Sequence, residues 1–171
     1  MKPLIKFKIA GPLTVPAYRG NAARIIRREE ASKFCKKHEE AVANRGCYVF
    51  AIKTGGGTLP MYVGKATRTF AQEIFNPANL GKYNEALADY AKATPVIFLV
   101  VAPTQRGPVN AKAISELEQF LIQEGVARNP DLLNVRDRKV ARFCIEGVIR
   151  GGQGKPSKEA VRFNLCMKIR K

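Results

Sequence analysis

The chain has 171 residues, with 30 Lys plus Arg against 14 Asp plus Glu and a formal net charge of +16. At roughly 150 residues per domain this is about one domain, and 46% hydrophobic residues supply a core, which excludes a chain disordered throughout. The longest apolar run, residues 95–103, is far short of the ~18–20 residues that cross a bilayer, and Lys6 and Lys8 interrupt the apolar N-terminus, so neither a membrane span nor a signal peptide is legible.

Residues 1–20 alternate briefly between apolar and polar and then meet Pro12 and Pro16, the pattern of a short edge strand and an extended arm. From Glu29 to about Asn44 the apolar residues Ala31, Phe34, Cys35, Ala41 and Val42 recur at helical spacing, with His38 on the same face as an expected packing residue. GCYVFAI at 46–52 and MYVG at 61–64 read as strands of a β-hairpin whose long connecting loop is the Gly-rich KTGGGTLP at 53–60. Gly55, Gly56 and Gly57 precede a strand and no helix N-terminus, so they read as a turn and not as a phosphate cradle.

A helix is expected from about Thr67 to just before Asn76-Pro77, and another over about 80–92 with Leu80, Tyr83, Leu87 and Tyr90 on one stripe. PVIFLVVA shows no alternation and reads as a strand buried on both faces. The longest helix spans 110–128, with Ile114, Leu117, Phe120, Leu121 and Ile122 facing inward, and Asn129-Pro130 stops it. The GGQGKPS segment reads as a linker, and Ser157 as the N-cap of a last helix to about Lys168.

Cys35, Cys47, Cys144 and Cys166 form no CxxC pair, and His38 is the one histidine, so a reduced, cytoplasmic chain without a zinc site is expected. Residues 1–45 carry a net +7, residues 46–103 a net +2 and residues 104–171 a net +7. Basic flanks around a nearly neutral middle suit a polyanionic partner, because each phosphate neutralised by Lys or Arg releases condensed counterions. Among the flanking cations are Arg24, Arg27, Arg28, Lys36 and Lys37 on one side. On the other are Arg136, Arg138, Lys139, Arg142, Lys155, Lys158 and Arg162, with Lys158 and Arg162 on one helix edge.

Chemistry concentrates in the middle. The hairpin contributes Tyr48 and Tyr62, followed by Gly64-Lys65; strand tyrosines ordinarily pack, and a phenol takes up a proton only where cations favour its anion. On the long helix Glu118 lies along the apolar stripe, where an unpaired carboxylate is costly and a cation resolves the cost. Glu124 is similarly bracketed, and helical geometry alone does not choose between them.

GCYVFAI…MYVGKA, then a helix with LEQFLI, then NPDLLN, together resemble the GIY-YIG nuclease domain over about residues 45–136. The matching positions are Gly46-Cys47-Tyr48 for the first half-motif, Tyr62-Val63-Gly64 for the second, Glu118 for the metal-binding glutamate and Asn134 for the later asparagine. The resemblance implies a small α/β sandwich around a three-stranded antiparallel sheet, flanked by a basic extension over 1–44 and another, with a terminal helix, over 137–171. It also implies hydrolysis of a DNA phosphodiester with one divalent ion, Mg²⁺ or Mn²⁺. Glu118 would hold the ion, Tyr48 would take or help to take the proton of the attacking water, Tyr62 would support the phosphate and Asn134 would fix the geometry. The family's arginine on the helix after the second half-motif is absent: its position reads Gln72, and the position one turn later, often His or Tyr in the family, reads Asn76. Arg68 and Lys82 are the candidate replacements, and Lys65 a phosphate contact. The alternative is the same fold kept as an inactive DNA- or protein-binding module.

Overall fold

The computed structural model describes residues 5–20, 23–103, 110–134 and 155–167. The chain divides into two compact units, Met1–Arg138 and Lys139–Lys171. In the first unit the elements are β1 (Lys8–Thr14), β2 (Tyr18–Arg19), β3 (Arg24–Ile25), α1 (Arg28–Lys37), α2 (Glu39–Val42), β4 (Gly46–Thr54), β5 (Gly57–Ala66), α3 (Phe70–Glu73), α4 (Pro77–Asp89), β6 (Thr94–Val101) and α5 (Ala111–Arg128). The second unit contributes α6 (Lys158–Met167), whose N-terminus is capped by Ser157 Oγ accepting from Ala160 N at 3.1 Å. No helix among the described residues is long and apolar enough to cross a membrane.

The fold is mixed α/β, built on a four-stranded antiparallel sheet in the order β1-β6-β4-β5. Three strands were expected from the resemblance, and the fourth is β1. The reason lies in β6, which is apolar on both faces and therefore central: its backbone needs partners on both edges, and β4 supplies one and β1 the other. The β1 register breaks between Ala10 and Leu13, across Gly11-Pro12, where proline offers no N–H to a ladder.

Side chains alternate across the sheet and give it two cores. Tyr48, Phe50, Ile52, Ile97 and Leu99 face Phe34, Phe70, Ile74, Tyr83 and Leu87 from the helices on one side. Cys47 and Val100 meet Ile114, and Val63 meets Ile122 and Leu132, on the α5 side. The stacked pair Phe50–Tyr83, with ring centroids 4.1 Å apart, adds about 0.5–1.5 kcal/mol beyond the area it buries.

Several local expectations change in the structure. The single helix over 29–44 breaks at His38 into α1 and α2, and the His38 ring packs on Phe34 at 4.8 Å. The connection between β4 and β5 is short, because Thr54 pairs with Gly57 and Thr58, Leu59 and Pro60 belong to the strand. A helix, α3, ends before Asn76-Pro77 as expected, and the same dipeptide starts the next one: Asn76 Oδ1 accepts from Asn79 N at 2.9 Å, and Pro77 occupies the first turn, where its missing N–H costs nothing. The helix expected from Thr67 shrinks to α3. Phe120, expected inward, is 56% exposed.

Two features set the register of the hairpin. Phe50 pairs with Tyr62 and Ala51 with Pro60, so Met61 is an extra residue, a bulge beside a proline that cannot donate to the ladder. Without it Tyr62 would pair with Val49 and fall on the α5 face. Gly64 is the partner of Tyr48, and a Cβ at residue 64 would overlap the Tyr48 ring and hydroxyl.

Gly64→Ala should therefore destabilise the protein by about 1–3 kcal/mol in urea unfolding, the usual cost of overpacking a tight site. Gly81→Ala, on α4 with open space around it, should stabilise by about 0.5–1 kcal/mol. Equal and small effects at both positions would refute the packing of Tyr48 on residue 64.

Buried Glu30 predicts a dependence on pH. Side-chain hydrogen bonds from Arg27, at 2.9 Å to each carboxylate oxygen, hold its carboxyl down from 4.5 to about 2 against the opposing effect of burial. Because the folded value lies below the unfolded one, this stabilisation is present above about pH 4.5 and is lost as pH falls toward 2. The gap in melting temperature between the parent and Glu30→Gln should close over that range.

Candidate active site

Strand β4 places Tyr48 almost fully buried on the helix-lined face, and α4 brings Asn79 to it, with Asn79 Nδ2 2.7 Å from Tyr48 Oη. The same nitrogen donates to Glu73 O at 2.8 Å and approaches Ile74 O at 3.3 Å. Carbonyls only accept, so the amide's orientation is determined, and the Tyr48 oxygen is the acceptor in its bond with Asn79. Tyr83, beside it, donates its hydroxyl to Ile74 O at 2.8 Å. Tyr62 completes a cluster of three phenols, its ring centroid 6.4 Å from Tyr48 and 6.2 Å from Tyr83.

Burial pushes the Tyr48 phenol well above its ordinary pKa. The neighbouring Tyr62 phenol and the carboxylates of Glu73 and Glu118 add to the rise, and the Asn79 hydrogen bond opposes it. Tyr48 is therefore protonated at neutral pH. Lys82 enters from α4 with Nζ 4.2 Å above the Tyr62 ring, a cation–π contact that puts a positive charge at the edge of the phenol cluster.

On the other face of β5, Lys65 Nζ lies 2.9 Å from Glu118 Oε2 and donates to Ser115 Oγ at 3.2 Å. Ser115 and Glu118 lie one turn apart on α5, so a single helix face presents both groups to the lysine. Glu124 is exposed at the surface of the same helix, which distinguishes the two glutamates where helical spacing left them equal. Cys47 lies between strand and helix, its Sγ 3.3 Å from Ile114 O, and burial pushes its thiol up to about 12, so it is a packing group and not a nucleophile.

Asn134 acts as a short piece of strand. Its Oδ1 accepts from Val63 N at 2.9 Å and its Nδ2 donates to Val63 O at 2.8 Å, while Leu133 N donates to Met61 O at 2.8 Å. The segment after α5 is thus fastened along the outer edge of β5, next to Tyr62.

The predicted residues fall into two clusters on opposite faces of β5. Tyr48, Tyr62 and Lys82 form one, Lys65 and Glu118 the other, and Asn134 holds the edge between them. Arg68 is exposed and makes no hydrogen bond, ion pair or ring contact among the described residues, and Gln72 is exposed on α3. Lys155, Lys158 and Arg162 are exposed on the second unit. Arg136, Arg138, Lys139 and Arg142 lie outside the described residues.

Sequence reasoning missed Asn79, Glu73 and Ser115. Asn79 stands four residues before Tyr83, on the buried side of α4, and a polar residue in that place was the legible signal.

Among the described residues no three His, Cys, Asp or Glu side chains gather into an all-protein metal site. The donor set on β5 and α5 is one carboxylate, Glu118, that solvent can reach, its side chain being 18% exposed. That fits a hard divalent ion of the Mg²⁺ kind, which keeps several waters and is commonly held by one or two carboxylates together with substrate phosphate oxygens.

No family model matches the chain, and searches of curated proteins and of solved structures return no match.

Proposed function

We propose that the chain is a metal-dependent DNA endonuclease of the GIY-YIG type. The observation that carries this reading is the hairpin register: Tyr48 pairs with Gly64, and Tyr62, brought to the same face by the bulge, adjoins it, while the residue after Gly64 is ion-paired to Glu118. The second half-motif on β5 thus adjoins the first on one face, Glu118 on the other and Asn134 along its edge, although these residues are far apart in the chain.

In this reading Glu118 holds the divalent ion, which when bound polarises the phosphoryl group and stabilises the leaving oxygen. Tyr48, buried beside Tyr62 on the face of β5 opposite Glu118 and kept protonated there, positions Tyr62 through its ring and holds α4 through the bond its oxygen accepts from Asn79. Lys82 supplies the positive charge that the family draws from an arginine, because it already lies against Tyr62, whereas Arg68 projects into solvent. Asn134 keeps β5 from moving at Val63, and the basic flanks hold the DNA backbone.

A second reading, an inactive binding module with the same fold, draws on one observation. The carboxylate of Glu118 is already neutralised by Lys65, and no arginine stands at the expected helix positions.

With Mg²⁺ or Mn²⁺ the protein should nick or cut DNA. Glu118→Gln should abolish cutting and leave binding intact, and Glu124→Gln should do neither. Lys82→Ala should cost ~10²–10³ in rate, the usual loss on removing one preorganised charge donor, with Arg68→Ala close to the parent. Binding without cleavage on single-stranded, duplex and branched DNA would leave the module reading in place.

DNA affinity should fall steeply between about 50 and 200 mM salt, and deleting residues 151–171 should weaken it and flatten the salt dependence. Affinity indifferent to salt would remove the electrostatic argument.

A further inference from the structure

Lys65 and Glu118 belong to different elements, and nothing in their sequence spacing requires them to meet. Yet the ammonium of Lys65 lies 2.9 Å from Glu118 Oε2 and is held there by a second hydrogen bond, to Ser115 Oγ at 3.2 Å. Both side chains remain accessible, Glu118 at 18% and Lys65 at 40%. The pair is thus formed but not sealed.

A carboxylate neutralised in this way is a poor ligand for a second cation, which must either displace the ammonium or share the carboxylate with a like charge. A phosphate has the opposite effect. Lysine carries a compact charge on a flexible four-carbon stem, so an anion near β5 can draw the ammonium away without moving the backbone. The exposed half of Lys65 is the part such an anion would reach first.

We propose that Lys65 couples the two ligands of the site: it occupies Glu118 in the free protein and transfers to a DNA phosphate on binding, so that DNA and a divalent ion each tighten the binding of the other. This inference rests on the nuclease reading above. It makes the lysine a positioning residue whose two partners, carboxylate and phosphate, exclude each other. By linkage, the factor by which DNA raises the affinity for the ion equals the factor by which the ion raises the affinity for DNA. The device keeps the carboxylate paired until substrate is present.

The test uses the full chain and Mn²⁺, with free Mn²⁺ followed by electron paramagnetic resonance in the absence of DNA. Lys65→Met removes the competing charge at similar length and should bind Mn²⁺ more tightly than the parent, on the order of tenfold, within the range that coupling between sites usually spans. Lys65→Arg, which grips a carboxylate through a planar fork, should bind Mn²⁺ more weakly than the parent and keeps the test decisive if the methionine variant fails to fold. Glu118→Gln should abolish the bound fraction in every background. In a second arm, Ca²⁺ at constant ionic strength should raise the affinity for a labelled duplex in the parent and raise it less in Lys65→Met.

If Lys65→Met and Lys65→Arg both bind Mn²⁺ as the parent does, while the parent loads Mn²⁺ through Glu118 and cuts DNA, the coupling is overturned and the nuclease reading stands. If no Mn²⁺ binds with or without DNA and no cutting occurs, the nuclease reading falls and the coupling with it.

Discussion

The ring of Tyr48 lies on the backbone of β5 because residue 64 has no side chain to hold it off, and most of the candidate site follows from that contact. With the ring seated there, the hydroxyl reaches Asn79 on α4, and α4 in turn carries Tyr83 and Lys82 to the same face. A second glycine does comparable service at the start of β4. Gly46 adopts a φ of +143°, and a Cβ there would collide with the carbonyl of Val100, so β4 and β6 approach closely where α5 packs over them. The glycines of both half-motifs thus have backbone reasons to be glycine, independent of any chemistry. Those reasons also explain how the neighbouring tyrosines come to share a face.

The sheet divides the site by dielectric as well as by position. On one side three phenols, two of them buried, pack against Phe50, Phe70 and Phe75, and Lys82 lies over a ring rather than beside a hydroxyl. Desolvation governs that side and keeps the buried Tyr48 and Tyr83 protonated. On the other side a carboxylate and an ammonium meet at the rim of α5, where water still reaches both. A charge reservoir and a set of neutral hydrogen-bonding groups are therefore held about one strand, and β5, at the sheet edge, is the element through which they influence each other.

The β-branched and aromatic run of 46–52 and the continuous apolar run of β6 were legible because strand pairing and burial write themselves into composition and period. The long amphipathic helix was legible for the same reason. What escaped depended on distant partners. The same dipeptide, Asn-Pro, begins α4 at 76 and follows α5 at 129, and only the tertiary position of the next residues decides between an N-cap and a stop. Thr58 to Pro60 read as loop because glycines precede them, yet β4 supplies them with a partner. Met61 as a bulge was hidden, although Pro60 beside it hinted at a broken ladder. The bond of Asn79 to Tyr48 and the pairing of Lys65 with Glu118 span 31 and 53 positions of sequence, so a local pattern can mark Asn79 as a buried polar residue but cannot name its partner.

Net charge overstates the cations that the N-terminal flank can offer a polyanion. Arg27 is committed to Glu29 and Glu30 and lies 4.1 Å above the Tyr18 ring, and Arg24 donates to Ala93 O and Thr94 Oγ1, tying the β2–β3 ribbon to the start of β6. Those two arginines hold the fold together. Arg28, Lys36 and Lys37 remain exposed on α1, as do Lys155, Lys158 and Arg162 on the second unit. On the nuclease reading the attraction to DNA thus comes from cations outside the hairpin, while the hairpin carries the chemistry with few spare charges of its own. Affinity and cleavage are then properties of different surfaces, and Lys65, which is in contact with both Glu118 and solvent, is the point at which they can be made to depend on each other.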